Sequence, residues 1–415
     1  MTQAKIRNDL RATGGPPGVD VVQLTDGALP SCHLYMEAQV FTPDSRRLLI
    51  HESATAHGSV AADPKHRYLV CDLDDGGALH PITEELGVTA PSISPDGRHV
   101  YYFVDDTRVN GGRLTLKRVG LDGSDRQTLL VVDRPLPGTS YRPSCIYPLS
   151  TIRSDGRRLA LSCFLGDGRQ EGTPWGLMVF DLDRLSVELV LEGPTWCNVH
   201  PQYSRATAAP QMRDILVQEN HGSVCAADGE IRQLVGGAGA DIHVIRDDGA
   251  DFRNMPWGRD GNEHCQGHQC WRGKTAWAIT STSTAHPREE QLIESAAVAH
   301  TGHAGAASPG GTRNDLSRSF AKPCFYHFAT DAEGRRLVTD TGREDQGGRV
   351  FLAALHEPGQ DALSSWTCLA HPKSSWGGDA HIHPFLSPDG AHAFFNSDES
   401  GILQAYMVRG LGSLP

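Results

Sequence analysis

No stretch of this chain is apolar for long enough to cross a membrane. The first ten residues, Met1-Thr-Gln-Ala-Lys-Ile-Arg-Asn-Asp-Leu10, also lack the apolar core of a signal peptide. A cytoplasmic protein without a membrane partner is the expectation. Basic residues are in deficit, 38 Lys and Arg against 50 Asp and Glu, and the formal charge of −12 argues against nucleic acid as a partner. Cys-x-x-Cys pairs are missing. The ten cysteines are scattered, and the two nearest, Cys265 and Cys270, are too isolated to form a zinc module. In a reducing compartment they read as free, semi-buried thiols. An anionic substrate would need a local cation, which a bound metal could supply.

What the chain does contain is a repeat. Its 415 residues would ordinarily imply two or three domains, but an internal period redefines the fold. Three clear copies of one phrase are Phe41-Thr-Pro-Asp-Ser-Arg-Arg-Leu-Leu-Ile50, Ile93-Ser-Pro-Asp-Gly-Arg-His-Val-Tyr-Tyr102 and Ile152-Arg-Ser-Asp-Gly-Arg-Arg-Leu-Ala-Leu161. Weaker copies lie at 203–217, 270–277 and 328–338, and the seventh is Leu386-Ser-Pro-Asp-Gly-Ala-His-Ala-Phe-Phe395. The spacing, about 58 residues per copy, accommodates a four-stranded sheet with loops, and seven such units match an all-β, seven-bladed β-propeller. Asp-Gly makes the tight hairpin turn, where glycine tolerates positive φ. Third strands follow near Tyr68–Leu73, Leu114–Val119, Gly176–Leu182 and Ile242–Ile245. The last copy ends after one more strand, Leu403–Val408, while Val19–Thr25 is a strand without a hairpin partner. The latter is expected to complete the last blade and remove an exposed edge. Residues 1–17, with Gly-Gly-Pro-Pro, read as an arm, and 18–415 as one propeller domain. The long Gly/Ala/Pro-rich linker at 281–323, carrying His300 and His303, reads as a lid or a floppy insertion.

In a propeller the innermost strand lines the channel, and here it precedes the Asp-Gly turn. His383 lies seven residues before Gly390, His327 seven before Gly334, and His268 five before Gly273 in a shortened turn. His200 directly precedes the fourth turn, whereas the first three copies carry Ala38, Ala90 and Leu149. Four consecutive blades thus present histidine near one phase, which reads as a functional cluster or, in the plainer reading, a packed polar channel. His381 and His383 form His-x-His, and residues i and i+2 of a strand share a face, so both can approach one borderline divalent ion. His221 ends a second strand within reach of the same site. His51, His57, His66, His80, His99 and His392 read as surface.

Several blocks resemble the oligogalacturonate lyases, a family of cytoplasmic seven-bladed propellers that bind a divalent metal, usually manganese. They are Gln23-Leu-Thr-Asp26 with His33-Leu-Tyr35 and Phe41-Thr-Pro-Asp44, Trp196-Cys-Asn-Val-His-Pro201, Gly267-His-Gln-Cys-Trp271, Ser374-Ser-Trp376, His381-Ile-His-Pro384 and Asn396-Ser-Asp-Glu-Ser-Gly401, in the family's order. The resemblance implies metal binding by His268, His381 and His383, with His200 as base. This sequence departs from the pattern where the family has a glutamine ligand, which is Gly378 here, and adjacent Asp379 or water is the expected replacement. The family's Cys-His-Glu-Gly-Pro run corresponds to Gln218-Glu-Asn-His-Gly222, so its histidine is displaced or lost. Its substrate-binding arginine falls at about Trp175 or Gly176, where tryptophan offers a sugar-stacking face instead.

The expected activity is metal-dependent β-elimination on a small intracellular oligosaccharide, oligogalacturonide first, by a monomer or homodimer. The ion is expected to be Mn²⁺, with Zn²⁺ or another divalent ion possible, and His221, His327, Trp175 and Arg205 are the candidate substrate contacts. Two alternatives stay open: a non-catalytic interaction propeller, and a sugar isomerase or epimerase that keeps the same metal and base.

Overall fold

The computed structural model describes residues 4–35, 38–55, 63–107, 112–237, 239–258, 263–283, 289–297, 313–320, 322–342, 347–360, 363–377 and 380–414. They form seven antiparallel blades whose strands follow chain order from the inside out. The first runs Ser31–His33, Arg47–Glu52, Arg67–Asp72, Ala78–Pro81; the second Val88–Ile93, His99–Asp106, Arg113–Gly120, Gln127–Val132; the third Cys145–Ile152, Arg158–Phe164, Trp175–Asp181, Ser186–Gly193. The fourth runs Gln202–Tyr203, Asp214–Asn220, Ala240–Arg246, Arg253–Asn254, with an inserted hairpin of Val224–Cys225 and Ile231–Gln233. The fifth is His264–Trp271, Trp277–Ser283, Gln291–Ala296, Arg313–Asp315, and the sixth Phe325–Thr330, Arg336–Thr341, Val350–Leu355, Leu363–Ala370. First strands of several neighbouring blades pack on one another, which sets them around the central axis. No helix among the described residues is long and apolar enough to cross a membrane.

The repeat phrase works through its turn. In the second copy the Ser94 hydroxyl donates to Asp96, the Asp96 carboxylate accepts the Arg98 N–H, and Gly97 takes φ +69°. Ser387, Asp389, Ala391 and Gly390 repeat the arrangement. In the first copy Thr42 and Asp44 play the same parts, and Ser45 adopts φ +62° without glycine's freedom. These bonds hold the Asp44, Asp96 and Asp389 carboxyls below their ordinary pKa.

The seventh blade closes the ring as expected. Phe385–Leu386, Ala393–Ser397 and Gln404–Arg409 come from the end of the chain, and Asp20–Gln23 from its beginning pairs Asp20 with Arg409, Val21 with Val408 and Gln23 with Tyr406. The stretch read as an arm is docked on the ring. Lys5–Ile6 adds a fifth strand against Gln23 and Val22, the Arg7 guanidinium pairs with Asp9 and Glu399, and Leu10 is fully buried. The linker read as one long loop carries the third and fourth strands of the fifth blade, while His300 and His303 lie outside the described residues.

Two histidines read as surface are buried: His51 and His66 are 3% and 5% exposed, with ring centroids 4.5 Å apart. Neither nitrogen of His66 has a hydrogen-bond partner among the described residues, and burial pushes its pKa down to about 4. The folded protein therefore resists a proton that the unfolded chain accepts from pH 6.5 downward. The stability this carries is complete above pH 6.5 and is lost as pH falls from there to about 4, amounting to about 3 kcal/mol. His66→Phe should flatten that part of the stability profile in denaturant titrations at pH 4–7; an unchanged slope would show that His66 does not cause it.

Closure generates a second expectation. Val21, Val22 and Leu24 are buried, each contributing about 1.5–3 kcal/mol. A chain lacking residues 1–25 should melt roughly 10 °C or more below the parent in calorimetry. An unchanged melting temperature would mean that the amino-terminal strand does not hold the ring.

Candidate functional site

The site begins with a fault in the inner strands. In the second, third, fifth and sixth blades the ladder slips its register between Thr89 and Ser92, Ile146 and Ser150, Cys265 and Gln269, and Phe325 and Phe328. Such bulges free a residue from pairing and re-aim its side chain. Backbone conformation marks the same point: Ala90, His200 and His383 adopt φ +48°, +48° and +45°, and Gly267 +96°. Left-handed backbone is unfavourable for residues other than glycine by about 1–2 kcal/mol, so it persists only where surrounding structure demands it.

The freed side chains line one cavity of about 550 Å³. It gathers His200, His268, His327, His381 and His383, together with Tyr35, Tyr147, Tyr326, Trp376, Gln266 and Asn198. Leu234, next to the inserted hairpin of the fourth blade, also lines it. Its size suits a small molecule, and aromatic walls with a few polar groups are the usual composition of such sites.

Within it, one ligand nitrogen from each of His327, His381 and His383 lies within 4.8 Å of the other two. His327 is 2% exposed and is fixed from behind: Asp340 accepts the His327 backbone N–H at 2.8 Å and shares a 2.7 Å bond with Nδ1. Burial drives the Asp340 carboxyl well above its ordinary pKa, against the pull of the backbone N–H groups. Whichever atom of that pair carries the proton, Nδ1 is engaged by Asp340. A carboxylate behind a histidine is the usual second layer of a metal site. Trp376 stacks on the His327 ring at 6.0 Å and 17°. Three imidazoles with this support fit a borderline divalent ion.

His200 stands apart from that trio. It is 4% exposed, its Nε2 shares a 2.9 Å hydrogen bond with the Tyr147 hydroxyl, and its ring lies 6.2 Å from that of His268. Trp196, its neighbour in sequence, packs on His243 and Phe252 instead. Tyr35 lies in the middle of the cluster, its ring 4.7 Å from His383, 5.0 Å from His200 and 6.2 Å from His268.

The other candidate residues divide. His268 lines the cavity with its ring 4.6 Å from that of His327 and its Nδ1 3.1 Å from the Gln266 amide oxygen, beside the close trio and outside it. Burial, then the proximity of His200 and His381, pushes its pKa down to about 3 and keeps it neutral. His327, expected as a substrate contact, is inside the trio. Trp175 is not in the cavity: it starts a third strand, far from the axis, and is 2% exposed against Phe164. Its place at the start of a third strand keeps it out of the channel. His221 bonds Asp241 at 2.9 Å and does not line the cavity. Arg205 lines a different cavity, because it follows its inner strand, whereas His200 and His383 precede theirs and His268 and His327 lie within theirs. Asp379 and Gly378 lie outside the described residues.

Tyr35, Tyr147 and Tyr326 were not singled out as site residues. Tyr326 and Tyr147 sit inside bulges, and Tyr326 adjoins His327, so the phase that marked the histidines could have found both. Tyr35 follows a short strand and has no repeat position to report it. No lysine or arginine is among the described residues lining the cavity.

The trio generates a prediction about binding. His327→Ala should abolish tight Mn²⁺ or Zn²⁺ uptake in calorimetric titration, and Asp340→Asn should weaken it about 10–100-fold. His268→Ala should cost less than His327→Ala; the reverse order would return the site to the His268 set.

A scan against models of known families finds no match, and no curated relative matches. Solved structures do match. An oligogalacturonate lyase in complex with manganese superposes with a TM-score of 0.68 at 18% identity, over 98% of this chain and 96% of that one. The oligogalacturonate lyase of Vibrio parahaemolyticus gives 0.67 at 17% identity, over 100% and 99%. The β-propeller domain of the Trilobed protease from Pyrococcus furiosus reaches 0.51 at 10% identity, over 93% and 95%. Over nearly its whole length, this chain has the fold of the oligogalacturonate lyases.

Proposed function

We propose that this protein is a metal-dependent lyase that cleaves a small intracellular oligosaccharide, oligogalacturonide being the first to test, by β-elimination. The observation that carries the reading is the division of one cavity into a histidine trio able to hold an ion and a separate histidine hydrogen-bonded to a tyrosine. Manganese is the first ion to try, since a structure of the same fold holds it; zinc suits the donors equally.

His327, His381 and His383 would hold the ion. When bound, it supplies Lewis acidity at the substrate carboxylate, the one fixed positive charge in a cavity that has no lysine or arginine among its described lining residues. His200 takes the proton from the carbon next to that carboxylate, and stays off the metal so that a lone pair remains for the proton. The Tyr147 hydroxyl orients the His200 ring through Nε2. As the carbon–hydrogen electrons form the new double bond, the bond to the oxygen at C4 breaks and its pair leaves with that oxygen, which ends protonated. Water is not consumed. Tyr35, Tyr326 and Trp376 offer faces for sugar rings. The same proton abstraction would serve isomerisation or epimerisation of a keto sugar, a reading favoured by the lack of a cationic side chain among the described lining residues to grip a uronate.

The test is His200→Ala assayed for unsaturated sugar product on oligogalacturonides and then neutral oligosaccharides. Loss of turnover by about 10²–10⁴-fold with metal content intact is expected. Equal activity in variant and parent refutes the base, and a metal-loaded parent inactive on every uronide shifts the assignment to the isomerase.

A further inference from the structure

The inner strands that carry the histidines continue past them to a second chamber. His383 precedes Phe385–Leu386 and His327 lies in Phe325–Thr330, and the far ends of these strands, with Ala38–Phe41 of the first blade, enclose a cavity of about 150 Å³. Among the described residues its one charged lining residue is Arg205, which follows the inner strand of the fourth blade. The guanidinium spends one N–H on the Thr330 carbonyl at 3.2 Å and has no other hydrogen-bond or ion-pair partner among the described residues. Asp331 exerts some pull on it, but one Asp331 oxygen already accepts the backbone N–H groups of Arg335 and Arg336. Gln39 is unavailable as well, its amide being tied to Thr151 and to the backbone of Ile152.

A guanidinium has five N–H donors in a planar fork matched to a carboxylate. Arg205 is only partly exposed, and Asp331 gives it a charge neighbour but no bond, so the guanidinium is short of partners for its donors. Burial accordingly drives its pKa below the ordinary arginine value. Apart from Gln39 and Thr330 the remaining walls are apolar, among them Val40, Phe41, Phe385 and Leu386. A dianion such as phosphate would demand several more donors than these walls present. A single negative charge on a short apolar body satisfies both halves of the chamber.

We propose that Arg205 and this chamber form a binding site for a small monocarboxylate, at the opposite end of the inner strands from the histidines. The ligand's two oxygens take the free guanidinium N–H groups, and its carbon end packs between the first and seventh blades. Because residues of the first, fourth, sixth and seventh blades meet there, occupancy ties the two sides of the ring together.

The full-length protein, dialysed free of metal so that a carboxylate cannot register at the histidines, is to be melted in acetate, propionate and pyruvate at constant ionic strength. Chloride, phosphate and sulfate form the comparison arms. A saturable rise in melting temperature with the carboxylates is expected, and it should vanish in Arg205→Gln. Ala329→Leu, which fills the chamber and leaves the charge, should also abolish it while the protein still folds. Absence of a saturable rise, an equal rise in Arg205→Gln, or a preference for phosphate or sulfate overturns the proposal. None of these outcomes bears on the metal or on His200.

Discussion

The architecture of the site depends on one recurring fault, a slip of register in the inner strands of the second, third, fifth and sixth blades and left-handed backbone beside those of the fourth and seventh. A regular ladder would turn alternate side chains into the blade-to-blade core and leave the channel mouth to backbone. By slipping register at Tyr147, His268 and His327, and by taking left-handed backbone at His200 and His383, the strands deliver side chains to one place. The strained positions are braced by the next strand. The Gln218 N–H bonds the Val199 carbonyl, and the Asn396 N–H bonds the Ile382 carbonyl, each immediately before a left-handed histidine. Strain at a functional site is thus balanced by bonds that the ring makes for other reasons.

Because the cavity takes residues from the first and from the third through seventh blades, its geometry is only as good as the closure of the ring. The seam is correspondingly overdetermined. Besides the strand pairing at Asp20–Gln23, the His33 N–H bonds the Asn396 side chain and the His33 ring packs on Phe385 at 4.4 Å, joining the first blade to the seventh. Tyr35 follows two residues later. The amino-terminal strand therefore secures both an edge that would otherwise be exposed and the aromatic ring at the centre of the histidines.

The protein carries a formal charge of −12, yet the cavity is lined by neutral or weakly basic groups and aromatic faces. A half-buried imidazole that stays neutral, as His268 does with a pKa pushed down to about 3, keeps its lone pair and its hydrogen-bond geometry without inviting a counter-ion. Asp340 adds a buried carboxyl behind His327 without opening it to the cavity. Positive charge is left to a bound ion, while Arg205 stands at the other end of the inner strands.

Local chemistry alone determined the ring. Ser-Pro-Asp-Gly dictates its own turn through bonds within a few residues, so seven copies read as seven blades, and an unfinished last copy with an orphan strand at the start implied the closure that exists. The phase of His200, His268, His327 and His383 likewise announced a shared compartment, because position before the turn reports position along the channel. Radial and cross-blade distances are not written in sequence spacing, and there only the tertiary structure decided. It set His327 in the close trio with His381 and His383 and left His268 beside it, since a bulge in each strand rotates its histidine by an amount no count reveals. It put Trp175 in the core because a third strand lies far from the axis, and sent Arg205 to the other chamber because it follows its strand. Tyr35 was invisible for the opposite reason: it belongs to no repeat and reaches the centre only when the ring closes around it.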